Sequence, residues 1–240
     1  MILKLENPVI LSKAIELISE MVTEVRIKVN EFGLSISAMD PANVAMVGLK
    51  IPKSAFSEFE ADKETLGVNL DNLKRVLKRC TSGGSIIIEK QDNFLNIQIQ
   101  DRIKRNFKVS LVEVETEDIN FDSKIAHMEF SSIVRINSAD LIDSVEDCAV
   151  VADACSFIIE EGKFIIESKG IDSAKSEFSS DEAEIKAENC KSRYSLEYLQ
   201  KFMKGAKTCE RALLSFGNNH PLKLDFKSEH MELGFILAPR

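Results

Sequence analysis

The sequence predicts an α+β protein of two similar halves, each built from two β-α-β-β-β units. Val68 to Lys78 is answered by Tyr194 to Lys204, 126 residues further on. Apolar positions 68/194, 70/196, 73/199, 76/202 and 77/203 coincide, as do basic positions 75/201 and 78/204. An offset of 127 aligns a second pair of segments at Ala14/Leu141, Ile15/Ile142, Ile18/Val145 and Met21/Cys148. Between these helical stretches apolar and polar residues alternate singly, the period of a half-buried strand. Repetition at this spacing makes the chain four copies of one small unit.

Met1 to Glu6 reads as a first strand. Pro8 opens a helical pattern of Val9, Ile10, Ala14, Ile15, Leu17, Ile18 and Met21. Val25 to Val29 alternates as a strand, Glu31-Phe32-Gly33 turns the chain, and strands follow at Leu34 to Ser37 and Val44 to Ile51. Pro52 to Lys63 reads as a loop or short helix. Thr65 to Leu70 is then a strand, and Asp71 to Cys80 a helix capped by Asp71. After Thr81-Ser82-Gly83-Gly84, Ser85 to Lys90 and Phe94 to Gln100 form a hairpin, with a last strand at Asn106 to Val112. Residues 113–122 are acidic, carry the isolated apolar residues Ile119 and Phe121, and read as a linker or an exposed docking strip. In the second half Ser138 to Cys148 is helical. Phe157 to Glu160 pairs with Phe164 to Glu167, and Ala212 to Ser215 with Leu222 to Phe226. The predicted domains are 1–112 and 126–240, joined by 113–125.

A chain of 240 residues with 44% hydrophobic and 29% charged residues buries a substantial core. No apolar run approaches the roughly 20 residues of a membrane span. The N-terminus lacks the charged-then-apolar plan of a signal peptide, so an intracellular protein is expected. Five cysteines without a C-x-x-C pair argue against a disulfide framework or structural zinc, and buried free thiols are expected. There is no P-loop, G-x-G-x-x-G, G-x-S-x-G or H-E-x-x-H, and His127, His220 and His230 lack metal-ligand spacing. No catalytic residue, metal or cofactor is predicted. Asp40 beside Pro41 reads as a turn former rather than a lone catalytic carboxylate.

The formal net charge is −8, but the charge on the helices is uneven. Asp71 to Cys80 carries +3 and Ser195 to Lys207 carries +2, whereas Pro8 to Met21 carries −1 and Ser138 to Ala149 carries −4. Matching cationic faces in a duplicated module point to sequence-independent contact with phosphates. With no tryptophan and no aromatic ladder, single-strand recognition is disfavoured. Candidate open edges are Asn106 to Leu111 and Asp172 to Phe178, and unlike edges pairing head to tail close a ring or grow a filament.

Several motifs in register resemble one family. Ser37-Ala38-Met39-Asp40 followed by Val44 is similar to the S-M-D…V turn of the sliding clamps of DNA replication, the proliferating cell nuclear antigen type. Leu66-Gly67-Val68-Asn69-Leu70 resembles its L-G-V-N-L strand; Tyr194 to Leu199 and Leu237-Ala238-Pro239-Arg240 resemble its later helix start and C-terminal L-A-P-[KR]. The resemblance implies a DNA-clamp fold, helices lining a trimeric ring and sheets outside, that encircles duplex DNA and tethers enzymes without catalysis. It places DNA-facing bases at Lys13, Arg75, Lys78 and Lys204, with Lys74, Arg79, Lys201 and Lys207 as additions. It implies subunit contact through Phe107, Val109 and Leu111 on one side and Ala174, Ser176 and Phe178 on the other. DNA polymerase, clamp loader, nuclease and ligase are the implied partners, through short aromatic peptides of the form Q-x-x-h-x-x-a-a. Their pocket falls at Met39, Val44, Ile119, Phe121, Pro221, Ile236, Ala238 and Pro239. The acidic helix from Ser138 departs from the family and points to a heterotrimer as the alternative, replicative or checkpoint-type; a monomeric scaffold of the same fold is the other. Absence of an acidic tail leans archaeal, with a cytoplasmic or nucleoid location; a eukaryotic member would be nuclear.

Overall fold

The computed structural model describes all 240 residues. The chain divides into two compact units, one of Met1–Pro41, Val47–Phe121 and Glu229–Glu232, the other of Ala42–Met46, Asp122–Ser228 and Leu233–Arg240. In order the first half runs β1 (Ile2–Leu5), α1 (Val9–Ile18), β2 (Glu24–Asn30), β3 (Gly33–Met39), β4 (Ala45–Pro52), a 3-10 turn (Lys53–Ala55), β5 (Glu58–Glu60), β6 (Glu64–Asn69), α2 (Leu70–Leu77), β7 (Ser85–Gln91), β8 (Phe94–Gln100) and β9 (Lys104–Ser110). A short helix α3 (Phe121–Ile125) follows. The second half runs β10 (Ser132–Asn137), α4 (Ser138–Val151), β11 (Ala154–Glu160), β12 (Lys163–Lys169), β13 (Ser173–Phe178), β14 (Ala183–Ala187), β15 (Cys190–Ser195), α5 (Leu196–Ala206), β16 (Arg211–Phe216), β17 (Leu222–Ser228) and β18 (Met231–Leu237).

Both halves follow one plan. The strand order β5-β1-β7-β8-β9 has its counterpart in β14-β10-β16-β17-β18, and β4-β3-β2-β6 in β13-β12-β11-β15. The four repeated units are therefore present, each half with one further short strand. β5 pairs antiparallel with β1 (Leu3↔Phe59) and β14 with β10 (Val134↔Ile185). Neither extra strand was predicted. β5 has three residues, and β14 carries Glu184 and Lys186, charges typical of a sheet margin. The helix predicted to be capped by Asp71 is capped by Asn69, whose Oδ1 accepts the Asn72 N–H at 3.2 Å. Asp71 instead sits in the first turn, where its charge complements the helix dipole.

Alternation decides which side chains reach the cores. Leu11, Ala14, Ile15 and Ile18 of α1 and Leu70, Leu73 and Leu77 of α2 are buried with Val25, Ile27 and Val29 of β2. In the second unit Phe157 meets Phe164 and Tyr194 edge-on, with centroids 5.6 and 5.4 Å apart. The Tyr194 hydroxyl donates to the His220 carbonyl at 2.8 Å, so its polar end is satisfied inside the core. All five cysteines are free; Cys148, Cys155 and Cys190 are buried as expected, whereas Cys80 and Cys209 are half-buried.

Residues 113–122 are not a free linker. The Val112 N–H donates to the Gly67 carbonyl at 2.9 Å, and the Arg26 guanidinium donates to the Val114 carbonyl at 2.5 Å. Lys28 pairs with Asp118 at 2.7 Å, and Val114 is buried. The segment is thus strapped across β2 and β6 inside the first unit. Gly67 is where it crosses: a Cβ there would lie 1.9 Å from the Val112 carbonyl oxygen. Gly67→Ala is expected to cost about 1–3 kcal/mol of stability through overpacking, read as a lower denaturation midpoint. Gly170→Ala, whose Cβ would meet nothing nearer than 3.6 Å, serves as the control with an unchanged midpoint.

Candidate nucleic-acid interface and assembly edges

α1 and α2 pack side by side in the first unit, and α4 and α5 in the second. Each turns an apolar stripe to its sheets, leaving charged residues outside. On α2, Arg75, Lys78 and Arg79 are exposed and Lys74 is half-buried; on α1, Lys13 is exposed. Lys78 pairs with Glu16 of α1 at 2.6 Å. Lys74 reaches Asp71 at 3.1 Å and the Ser19 hydroxyl at 3.0 Å. These pairs tie α2 to α1 and partly neutralise both lysines, whereas Arg75, Arg79 and Lys13 carry no acidic partner. The sequence identified all five cations; the Glu16 pair was invisible to it, lying 62 positions from Lys78.

On α5, Lys204 and Lys207 are exposed, and Lys201 is held by Glu197 at 3.0 Å, one helical turn away. α5 is anchored by Phe202, which stacks on Phe235 with centroids 4.2 Å apart. The face of α4 is the opposite in sign: Asp140, Asp143, Glu146 and Asp147 are all exposed and none forms an ion pair. Its start is capped by Asn137, whose Oδ1 accepts the Ala139 N–H at 2.8 Å. The exposed positive charge of the helices therefore lies on α2, α5 and Lys13, and the exposed negative charge on α4.

β9 and β13 are both terminal strands of their sheets. In β9, Phe107 is half-buried and Val109 is buried; in β13, Ala174 and Ser176 are half-buried and Phe178 is buried. Leu111 lies just past β9, where its N–H donates to the Asn93 carbonyl at 2.8 Å. The apolar side chains of both edges thus point largely into their own unit, Val109 and Phe178 most deeply. What the edges present outward is backbone, flanked by Lys104, Asn106 and Lys108 on β9 and by Lys175 and Glu177 on β13.

The expected peptide-pocket residues divide between the two units. In the first, Met39 and Ile119 are half-buried. Phe121 is buried, its N–H donating to the Ser37 hydroxyl at 3.3 Å and its ring lying against Gly48. Phe121 is therefore an anchor of the strap, not an exposed residue of a docking strip. In the second, Val44, Pro221 and Ala238 are half-buried, Ile236 is buried and Pro239 exposed; the Ala238 N–H donates to the Val44 carbonyl at 2.9 Å. Asp40 is buried in the turn after β3. No three metal-ligating side chains come together, and no helix is long and apolar enough to cross a membrane.

Residues 1–125 match the family model for the N-terminal domain of proliferating cell nuclear antigen, and residues 117–240 that for its C-terminal domain. A DNA polymerase sliding clamp from Pyrococcus furiosus is 33% identical over 95% of this chain and 94% of its own. One from Thermococcus onnurineus is 32% identical over 92% and 91%. The solved structure of proliferating cellular nuclear antigen from Entamoeba histolytica superposes with a TM-score of 0.90 at 23% identity, covering 100% of this chain and 98% of that one. A PCNA2–PCNA3 complex from Sulfolobus tokodaii superposes at 0.88 with 25% identity, covering 100% and 99%. With the two-unit α+β plan, both halves matched and relatives of one-third identity running nearly end to end, the chain belongs to the proliferating cell nuclear antigen family.

Proposed function

We propose that this chain is a DNA sliding clamp, a processivity factor that closes with further subunits into a trimeric ring around duplex DNA and tethers a DNA polymerase to it. The observation that carries the reading is the whole-length similarity to chains named DNA polymerase sliding clamp. Processivity needs no chemistry: a ring linked topologically to DNA raises the polymerase's effective concentration at the primer end. Exposed cations on α2 and α5 supply weak phosphate contacts that fix no register, so the ring slides.

The two edges favour closure head to tail. β9 and β13 are unlike strands, so their pairing is heterologous and closes a ring when the rotation allows. α2 packs against β9 and α4 against β13. One edge is thus flanked by a basic helix and the other by an acidic one, complementary charge that steers unlike edges together. This gives the α4 carboxylates a role that DNA contact does not. Clamp loader, nuclease and ligase are the further proposed partners, seated through short aromatic peptides on half-buried residues such as Ile119 and Ala238.

A heteromeric ring is the second reading, favoured by the Sulfolobus tokodaii complex of two different subunits and by the uneven helix charge. Primer extension on a singly primed circle, with polymerase and clamp loader of the same organism, tests the function. Adding the chain is expected to lengthen products about tenfold or more. Unchanged product length overturns the proposal, and lengthening only when paralogous subunits are added selects the heteromeric ring.

A further inference from the structure

The sheet β13-β12-β11-β15 buries one face, with Cys155, Phe157, Phe164, Ile166 and Tyr194, beneath α4 and α5. On its other face lie two adjoining hollows of 430 and 410 Å³ that share Glu167, Lys169 and Lys191. Strand register aligns their walls. Ser156 stands between Glu167 and Arg193, and Ile158 between Ile165 and Lys191. The floor of the second hollow is therefore apolar, and cations rise around both.

Glu167 lies at the centre with its side chain 6% exposed, accepting from Lys169 at 2.8 Å and Lys191 at 3.5 Å. Burial opposes its charge, yet the two lysines hold its carboxyl below the usual range. One carboxylate thus serves two lysines. Arg193 lines the first hollow with no acidic partner at all. Its strand position is held by the Arg240 N–H, which donates to the Arg193 carbonyl at 2.8 Å; beside it the Asn219 N–H donates to the Lys191 carbonyl at 3.0 Å. An unpaired guanidinium on a held strand is suited to bidentate capture of a carboxylate. In a chain of net charge −8, this concave surface keeps a small excess of cations: Lys169, Lys191 and Arg193 against Glu160 and Glu167, with Lys175 already paired to Glu177 at 2.8 Å.

We propose that this trough binds an acidic peptide segment of a partner protein, one carboxylate on Arg193, another on Lys169 and Lys191, and an apolar side chain over Ile158 and Ile165. The choice of peptide rests on the clamp reading in one respect: the helical face is the one that meets DNA, leaving this opposite face to proteins. Two features of the trough itself favour peptide over nucleic acid. The central Glu167 repels a continuous run of phosphates, and no aromatic ring lines the hollows for base stacking.

Fluorescence anisotropy with a labelled hexapeptide alternating glutamate and leucine tests the site. A thymidine hexanucleotide and a glutamine–leucine hexapeptide are the comparators. The acidic peptide is expected to bind saturably and more weakly as salt rises. Arg193→Glu is expected to weaken it about tenfold or more, Arg193→Lys less, and the glutamine peptide should not bind. Lys191→Glu provides an independent second variant. No saturable binding, equal affinity in Arg193→Glu, or equal affinity for the glutamine peptide overturns the proposal. Tighter binding of the oligonucleotide, lost in Arg193→Glu, also overturns it and assigns the trough to nucleic acid. Primer extension separates the two readings: Arg193→Glu is expected to support full-length synthesis. Peptide failure with normal extension therefore sinks only the trough, and failed wild-type extension sinks the clamp.

Discussion

Replacing Arg75 and Arg79 together with glutamate is expected to abolish processive synthesis while leaving the fold and the assembly mass unchanged. Both side chains are exposed and neither has an acidic partner, so no internal pair is broken. The buried stripe of Leu70, Leu73 and Leu77 is untouched. Each lost phosphate contact removes about 0.9 from the salt slope of DNA affinity, so the double variant should lower that slope by about 2. Lys78→Glu is a less clean probe: it breaks the pair with Glu16, 2.6 Å away, and sets two carboxylates side by side. Retained run length in the Arg75/Arg79 double variant would remove α2 from the DNA-contacting surface.

A proline in β13 is expected to split the proposed ring. Successive N–H groups of a strand alternate sides, and an edge strand tolerates proline only where its N–H points away from the sheet. Lys175 and Ser176 are neighbours paired with Glu167 and Ile166 of β12. Of Lys175→Pro and Ser176→Pro, one removes a bond to β12 and lowers the melting temperature. The other removes an outward donor, keeps the melting temperature close to wild type, and loses assembly. Light scattering should then fall from about 81 kDa, three times the 26.9 kDa of one chain, to about 27 kDa. If both variants keep the assembled mass, β13 is not the joint.

The elements most legible in the sequence were those governed by a short-range period. The repeat linking α2 to α5 set their apolar stripes, and the cations read on the opposite face, Arg75, Lys78, Arg79, Lys204 and Lys207, are all exposed. β9 and β13 were identified as margins and are terminal strands. How the side chains of these edges divide was less legible: Val109 and Phe178 turn inward because alternation commits the apolar positions of an edge strand to its own core. The fastening of the strap at 113–122 is not legible in the sequence for a similar reason. Its acidic composition resembles a linker, and only its contacts with Gly67, Arg26 and Lys28 show that it is fastened.

By itself the sequence determined the α+β class, the fourfold repeat, the helix faces and their uneven charge, because each is set by residue spacings shorter than one element or by repetition of those spacings. Tertiary structure alone decided the β5 and β14 margins, the Glu16–Lys78 pair, the burial of Phe121 against Gly48, and the trough that gathers Ile158, Glu167, Lys191 and Arg193. They bring together positions far apart in the chain, from 24 residues for Glu167 and Lys191 to 73 for Gly48 and Phe121. They depend on strand register and helix packing, which no local period encodes.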